Sequence, residues 1–206
     1  MRIELTVVRH GETELNRIGS FQGQVDVPLN GNGLAQAQRL AKRLAHEPFD
    51  ELHCSDLQRA VQTAEPIARQ SGLPVHYHRG LREQSFGVLD GMTLTEVQCD
   101  QSDLWLAWLK HDADFTLPGG ESVRQFSARV LDAFMSLGQN ARRPRLLVIC
   151  HGGVLDMLYR QAYGYSLHGP RECAIPNTGI NRFTLEAGQL RLDLWADDAH
   201  LNYSGT

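Results

Sequence analysis

Two apolar runs, each ending on a histidine and a glycine, constrain this chain more than anything else in it. Leu5 to Val8 stops abruptly at Arg9 and His10, and Gly11 then lets the backbone turn. RLLVIC, Arg145 to Cys150, is the most strand-like stretch in the chain and runs straight into His151, Gly152 and Gly153. Short, continuous apolar runs suit strands covered on both faces of a parallel sheet. Each strand would then present an imidazole at its carboxyl end. The flanking residues do not match, so the pair is not an internal repeat.

The rest of the chain supplies helices to cover such a sheet. Asn30 is placed to cap a helix through Leu34, Ala37, Leu40, Ala41 and Leu44, apolar positions three and four apart, and Pro48 ends it. Glu51 to Cys54 reads as a short buried strand, Ser55 as the cap of a second helix from about Leu57, and Pro66 as a bend in it. Val75 to Tyr77 makes a third strand. Glu121 to Leu137 is helical, with Val123, Phe126, Val130, Leu131 and Phe134 on one side. Two β-rich runs between Gly179 and Trp195, joined around Ala187 and Gly188, predict a hairpin at the sheet margin. This alternation is that of an α/β protein with a largely parallel sheet. Glu12 to Pro28 lacks periodicity and reads as a loop. A stretch of about 84–120, with short helices around Leu94 to Cys99 and around Trp105 and Trp108, reads as a small helical lobe inserted over the sheet edge. At 206 residues the whole chain is expected to be one domain, 1–206, carrying that lobe.

Composition narrows the partners. A net charge of −4, with no run of like charges, gives no general attraction to nucleic acid or to an anionic membrane, so any anion site must be local. Cys54, Cys99, Cys150 and Cys173 are scattered without zinc-ligand spacing and read as reduced, mostly core thiols. MRIELTVV is too short and polar for a signal segment, and no window reaches membrane-spanning length. These features favour the cytoplasm.

Parallel sheets bind ligands at the carboxyl ends of their strands. Arg9, His10 and His151 fall there, and Arg59 lies in the first turns of the helix after the Cys54 strand. Such a cluster fits a phosphoryl group: the arginine forks pair with its oxygens, and amides near Gly152 and Gly153 add donors. A neutral His10 can attack phosphorus in line, giving a phosphohistidine with no metal. The leaving group then needs a proton. Glu83 in LREQ is the first choice for that acid, ahead of Glu12, Asp56 and Asp90. Taken singly, each residue has a plainer role: Arg59 as a solvated helix charge, Glu83 as an ion-pair partner, His151 as a turn residue. Their joint placement at one sheet edge carries the argument. Trp105 and Trp108 are assigned to lobe packing, and His46, His53, His76, His78, His111, His168 and His200 to solvated or structural roles.

Taken in order from Leu5 to Gly164, VVRHGETELN, FQGQVDVPLNGNG, SDLQRAVQTAEPI, LREQSFGVLDG, PGGES and VICHGGV resemble the histidine phosphatase superfamily in its phosphoglycerate-mutase-like branch. The resemblance implies a three-layer α/β/α fold with a mostly parallel sheet, and phosphohistidine chemistry needing no metal or other cofactor. It makes His10 the nucleophile, Arg9, Arg59 and His151 the phosphate pocket, and Glu83 the proton donor. It also places Asn16, Gln22 and Gly23 beside the phosphate or the attacking water, and Gly152 joins the same pocket through the backbone amide already noted. Two departures touch the substrate pocket: Leu15 stands where many members have Trp, and Leu89 and Asp90 where many have Trp and Glu. The insertion after LRE is short and holds Asp100, Asp103, Asp112 and Asp114 against Lys110, a poor setting for a second phosphate. A metal-independent phosphomonoesterase of the broad phosphatase or α-ribazole phosphatase type is therefore expected, acting on a small phosphorylated metabolite. The alternatives are a cofactor-dependent phosphoglycerate mutase and an inactive phosphoryl-binding module. An exposed sheet edge leaves room for a homodimer.

Overall fold

In the computed structural model, which describes residues 1–201, six strands form one sheet. The strands are β1 (Ile3–Arg9), β2 (Glu51–Ser55), β3 (Val75–His78), β4 (Arg145–Cys150), β5 (Ile180–Glu186) and β6 (Gln189–Asp197), in the order β3-β2-β4-β1-β5-β6. The first four are mutually parallel, with Val7 beside Val148 and His53 beside Val148 from the other side; β5 and β6 are antiparallel. The expected hairpin is therefore the sheet margin. β1 and β4 lie at the centre, which explains their unbroken apolar runs.

Alternate residues of these strands feed two cores. Ile3, Leu5, Val7, Leu146 and Val148 face α6 (Val123–Asn140) and α7 (Gly152–Tyr163), where Phe126, Val130, Phe134 and Leu155 are buried. Val8, Leu52, Leu147 and Ile149 face α2 (Gly31–Leu44) and α3 (Gln58–Ser71) through Leu40, Ala41, Ala60 and Ile67. This is the expected α/β/α sandwich. A fully buried Leu or Val contributes about 1.5–3 kcal/mol relative to an exposed one, so the two faces dominate the favourable side of folding.

Several local expectations need correction. Asn30 does cap α2, accepting from the Gly33 amide at 2.8 Å, but Leu34 lies off the apolar face and is 48% exposed. Ser55 does not cap α3: Leu57 holds the cap position, and no side chain bonds there. Pro66 does lie inside α3, as expected, and the helix runs on past it to Ser71. The segment after His10 is not all loop, because Thr13 and Asn16 form a capping box around a single turn, α1 (Glu14–Arg17). Cys54 and Cys150 are core thiols, whereas Cys99 is exposed.

The 84–120 stretch contains α4 (Leu94–Asp100) and α5 (Ser102–Trp108). Leu89, Val97 and Leu117 form its small core, with Phe21, Phe86 and Trp108 packed against it. The three rings meet edge to face at centroid separations of 5.3, 5.8 and 5.4 Å, so Trp108 is a packing residue as expected.

Candidate active site

The carboxyl ends of β1, β2 and β4 bring His10, Ser55 and His151 together, because parallel neighbours in register end side by side. His10 continues the ladder one step past β1, its amide donating to the Cys150 carbonyl at 2.9 Å. Its Nδ1 lies 2.7 Å from the Gly11 carbonyl oxygen. That oxygen can only accept, so Nδ1 carries the proton and Nε2 keeps its lone pair. The backbone beneath is held as well: Asn177 Nδ2 donates to the His10 carbonyl at 2.9 Å, and the Gly11 amide donates to Thr63 Oγ1 at 3.0 Å.

His151 stands beside His10, ring centroids 5.1 Å apart and planes at 58°. It is fully buried, with Nδ1 3.2 Å from Arg59 Nε and Nε2 2.7 Å from Ser55 Oγ. Burial, reinforced by the nearby arginines, pushes both imidazoles well below the ordinary histidine range, so both are neutral at pH 7.

The two arginines are arranged differently from each other. Arg59 is fully buried, and its fork is partly spent on the protein: Nη1 donates to the Val25 carbonyl at 2.8 Å and Nη2 to that of Gly23 at 2.7 Å. The free two-pronged grip expected of Arg59 is thus reduced to its remaining N–H groups. Arg9 Nη1 donates to the Ile175 carbonyl at 2.6 Å, while its buried Nε has no partner among the described residues. Desolvation lowers both to about 10, with Arg171 adding to the effect on Arg9. They remain cationic at neutral pH; Glu83 acts on both from a distance, and Asp26 and Asp90 on Arg59, but among the described residues neither has a directly paired counter-charge. A dianionic phosphoryl group would supply it.

Glu83 is half-buried, with one oxygen accepting from the Gly153 amide and the other from the Gln84 amide, each at 2.9 Å. The Gly153 amide, expected as a phosphate donor, therefore holds the carboxylate instead. Arg129 fixes the strand of chain that carries Glu83, donating to the carbonyls of Gly80, Arg82 and Glu83 at 3.0, 3.0 and 3.1 Å and pairing with Glu121 at 2.7 Å. The three weaker acid candidates are otherwise engaged. Asn30 donates to Glu12, Arg82 grips Asp56 at 2.6 and 2.7 Å, and the amides of Phe86 and Gln24 donate to Asp90.

Asn16, Gln22 and Gly23 form the loop beside the pocket. Asn16 Oδ1 accepts from Thr13 and Asn177, Gln22 donates to Thr13 Oγ1 at 2.9 Å, and Gly23 offers Arg59 its carbonyl. Gln22 Oε1 is buried with no partner among the described residues. Gly152 sits against Arg9 and Arg171; a Cβ there would lie 3.5 Å from Arg9 Nε and 3.6 Å from Arg171 Nη1.

A cavity of about 270 Å³ opens between Glu83 and the lobe, walled by Phe86, Trp108 and Phe115 on one side and by Asp156, Arg160 and Arg171 on the other. Of the lobe's four aspartates weighed from the sequence, only Asp112 lines this cavity, and sequence reading missed Arg171, Arg129, Asn177 and Ser55. PNTG at 176–179 was the available signal for Asn177, whereas Arg171 lies in an irregular segment with no pattern to mark it. As for metals, Asp112, Asp114 and His168 have ligand atoms within 4.8 Å of one another, but all three are exposed and Arg124 already holds both oxygens of Asp114.

Known proteins resemble this chain in sequence and in fold. Phosphoglycerate mutase-like protein 4 of Arabidopsis thaliana is 36% identical over 206 residues, covering 98% of this chain and 88% of its own. A metal-independent phosphoserine phosphatase of the same plant is 34% identical, covering 98% and 84%. Among solved structures, a putative α-ribazole-5'-P phosphatase from Escherichia coli superposes with a TM-score of 0.87 at 26% identity, covering 95% of this chain and 96% of its own. The family model for the histidine phosphatase superfamily (branch 1) matches residues 5–198, and with these relatives it shows that the chain belongs to that superfamily.

Proposed function

We propose that the protein is a metal-independent phosphomonoesterase that hydrolyses a small phosphorylated metabolite through a phosphohistidine on His10. The observation that carries this reading is a neutral imidazole, its Nδ1 tied to the Gly11 carbonyl, set beside Arg9 and Arg59, neither of which pairs directly with a carboxylate among the described residues. Nε2 attacks phosphorus, the P–O ester bond breaks, and Glu83 gives its proton to the departing alkoxide. The Gly11 carbonyl steadies the positive ring that results. Glu83 then takes a proton from water as the water oxygen bonds to phosphorus and the N–P bond breaks, releasing inorganic phosphate. Arg9, Arg59 and His151 hold the phosphoryl oxygens throughout, so preorganised charge supplies much of the rate. The single match across 5–198 supports reading the chain as one such domain with its lobe, and the four cysteines, all free thiols, support the cytoplasm as its place.

A phosphoglycerate mutase is the second reading, and one observation favours it. Arg160 and Arg171 reach the cavity from outside the lobe, where a second anionic group of a substrate would need cations, although Asp156 lies between them at 3.3 and 3.8 Å. Turnover of 3-phosphoglycerate stimulated by 2,3-bisphosphoglycerate would establish the mutase; phosphate release from a metabolite panel without stimulation supports the phosphatase. Hydrolysis of p-nitrophenyl phosphate should persist in excess EDTA and vanish in His10→Ala. Dependence on added metal would overturn the mechanism. Phosphate analogues that bind with no phosphohistidine trapped under acid-free quench would point to a binding module.

A further inference from the structure

We propose that Ser55 is a positioning residue for His151, holding Nε2 so that Nδ1 stays aimed at the phosphoryl group. This rests on reading the pocket as a phosphoryl site. Ser55 is the last residue of β2, fully buried, with Oγ 2.7 Å from His151 Nε2, the shortest contact that ring makes. The other ring nitrogen, Nδ1, lies on the side of Arg59, at 3.2 Å from Nε. His151 thus has one nitrogen turned to the cations of the pocket and one turned away, and among the described residues the one turned away meets only Ser55.

A hydroxyl suits that place because it can donate or accept. An Arg59 Nε–H directed at Nδ1 requires a bare Nδ1, so Nε2 carries the ring proton and Ser55 Oγ accepts it. A phosphoryl oxygen against His151 requires the reverse: Nδ1–H donates to the oxygen, Nε2 is bare, and the Ser55 hydroxyl donates. Turning the Cβ–Oγ bond reconciles Ser55 with either tautomer, with no movement of the ring. Oγ also lies 3.4 Å from the Leu57 amide, which fixes the oxygen while leaving its proton free to turn. A carbonyl in the same place could only accept, and would bind the ring to the tautomer that cannot donate from Nδ1 unless the ring became cationic. Burial beside two arginines opposes that charge.

Removing the hydroxyl leaves Nε2 buried without a partner and the ring free to tilt. A misplaced donor is felt most where charge builds on the transferring oxygens, so kcat should fall more than KM rises. Ser55→Ala should lose about 10- to 100-fold in kcat, less than the roughly 100- to 1000-fold of removing an oxyanion donor outright because His151 itself stays in place, with KM changed less than about threefold. Ser55→Thr, which keeps the hydroxyl, should recover most of that loss. The deciding measurement is the ¹⁵N spectrum of the His151 ring in the whole protein, with and without orthovanadate as phosphoryl mimic. The wild type should show one tautomer in each condition and exchange Nε2–H for Nδ1–H when vanadate binds; Ser55→Ala should show a mixture with vanadate. Wild-type ¹⁵N shifts in Ser55→Ala, or a kcat within twofold of wild type, would overturn the proposal. If the wild type hydrolyses nothing in the panel, the phosphatase reading fails, while the vanadate spectra still decide the role of Ser55.

Discussion

Gly153→Ala tests the acid role of Glu83 without touching Glu83. A Cβ on Gly153 would sit 2.1 Å from Glu83 Oε1, 3.1 Å from its Cδ and 3.0 Å from a ring carbon of Phe126, where ordinary contact begins near 3.4 Å. The carboxylate must retreat by about 1.3 Å, the difference between 3.4 and 2.1 Å, since the Phe126 ring is packed in the core. The helix itself favours the change: Ala is preferred over Gly by up to about 1 kcal/mol in a helix interior and by less at this second position of α7, which offsets part of the crowding at Phe126. The melting temperature should therefore move little. Activity should not be spared, because a displacement of about 1 Å can cost on the order of 100-fold, equivalent to about 2.7 kcal/mol of barrier. The loss should depend on the leaving group. An alkyl phosphate needs a proton at the departing oxygen and should lose about 100-fold in kcat/KM; p-nitrophenyl phosphate scarcely needs one and should lose less than about fivefold. Equal losses on the two substrates, or wild-type rates on both, would refute the assignment of Glu83 and the reading of Gly153 as its seat.

Other outcomes follow from the same geometry. Glu83→Gln should reproduce the leaving-group dependence, again measured as the ratio of alkyl to nitrophenyl kcat/KM. Arg129→Met removes donors from three carbonyls and from Glu121, so it should lower unfolding stability by about 2–4 kcal/mol in urea titrations and reduce kcat by loosening the chain that carries Glu83. Arg171→Ala should raise KM for substrates with an anionic leaving group more than for neutral sugar phosphates, a comparison read from steady-state kinetics on matched pairs. Stability should also depend on mild acid. His53 is lowered to about 4, chiefly by burial, and His10 and His151 are lowered as well, so the unfolded chain takes up protons near pH 6.5 that the folded chain refuses. Stability is then full above that pH and falls as the pH drops through it, by up to about 1.4 kcal/mol per pH unit for each histidine. Urea midpoints at pH 7.5 and 5.0 check the sign.

What could be read from the chain alone was set by local periodicity. The runs Leu5 to Val8 and Arg145 to Cys150 could only be central strands, and each had to end where its glycine allowed a turn; that placed His10 and His151 at one edge before any fold was known. Helix faces were legible for the same reason, though Leu34 shows that apolar character alone does not bury a side chain when its turn of helix faces water. The contacts that tune the site were not legible, because they join residues far apart in sequence. Ser55 looks like a helix cap until β2 is laid beside β4 and its hydroxyl meets His151, 96 residues on in the chain. Arg59 looks like a free fork until the loop at Gly23 and Val25 folds over it, and Arg171 has no signal until an irregular segment carries it to the cavity. Periodicity along a chain records which way each side chain points. Only the order and register of the strands decide what it points at.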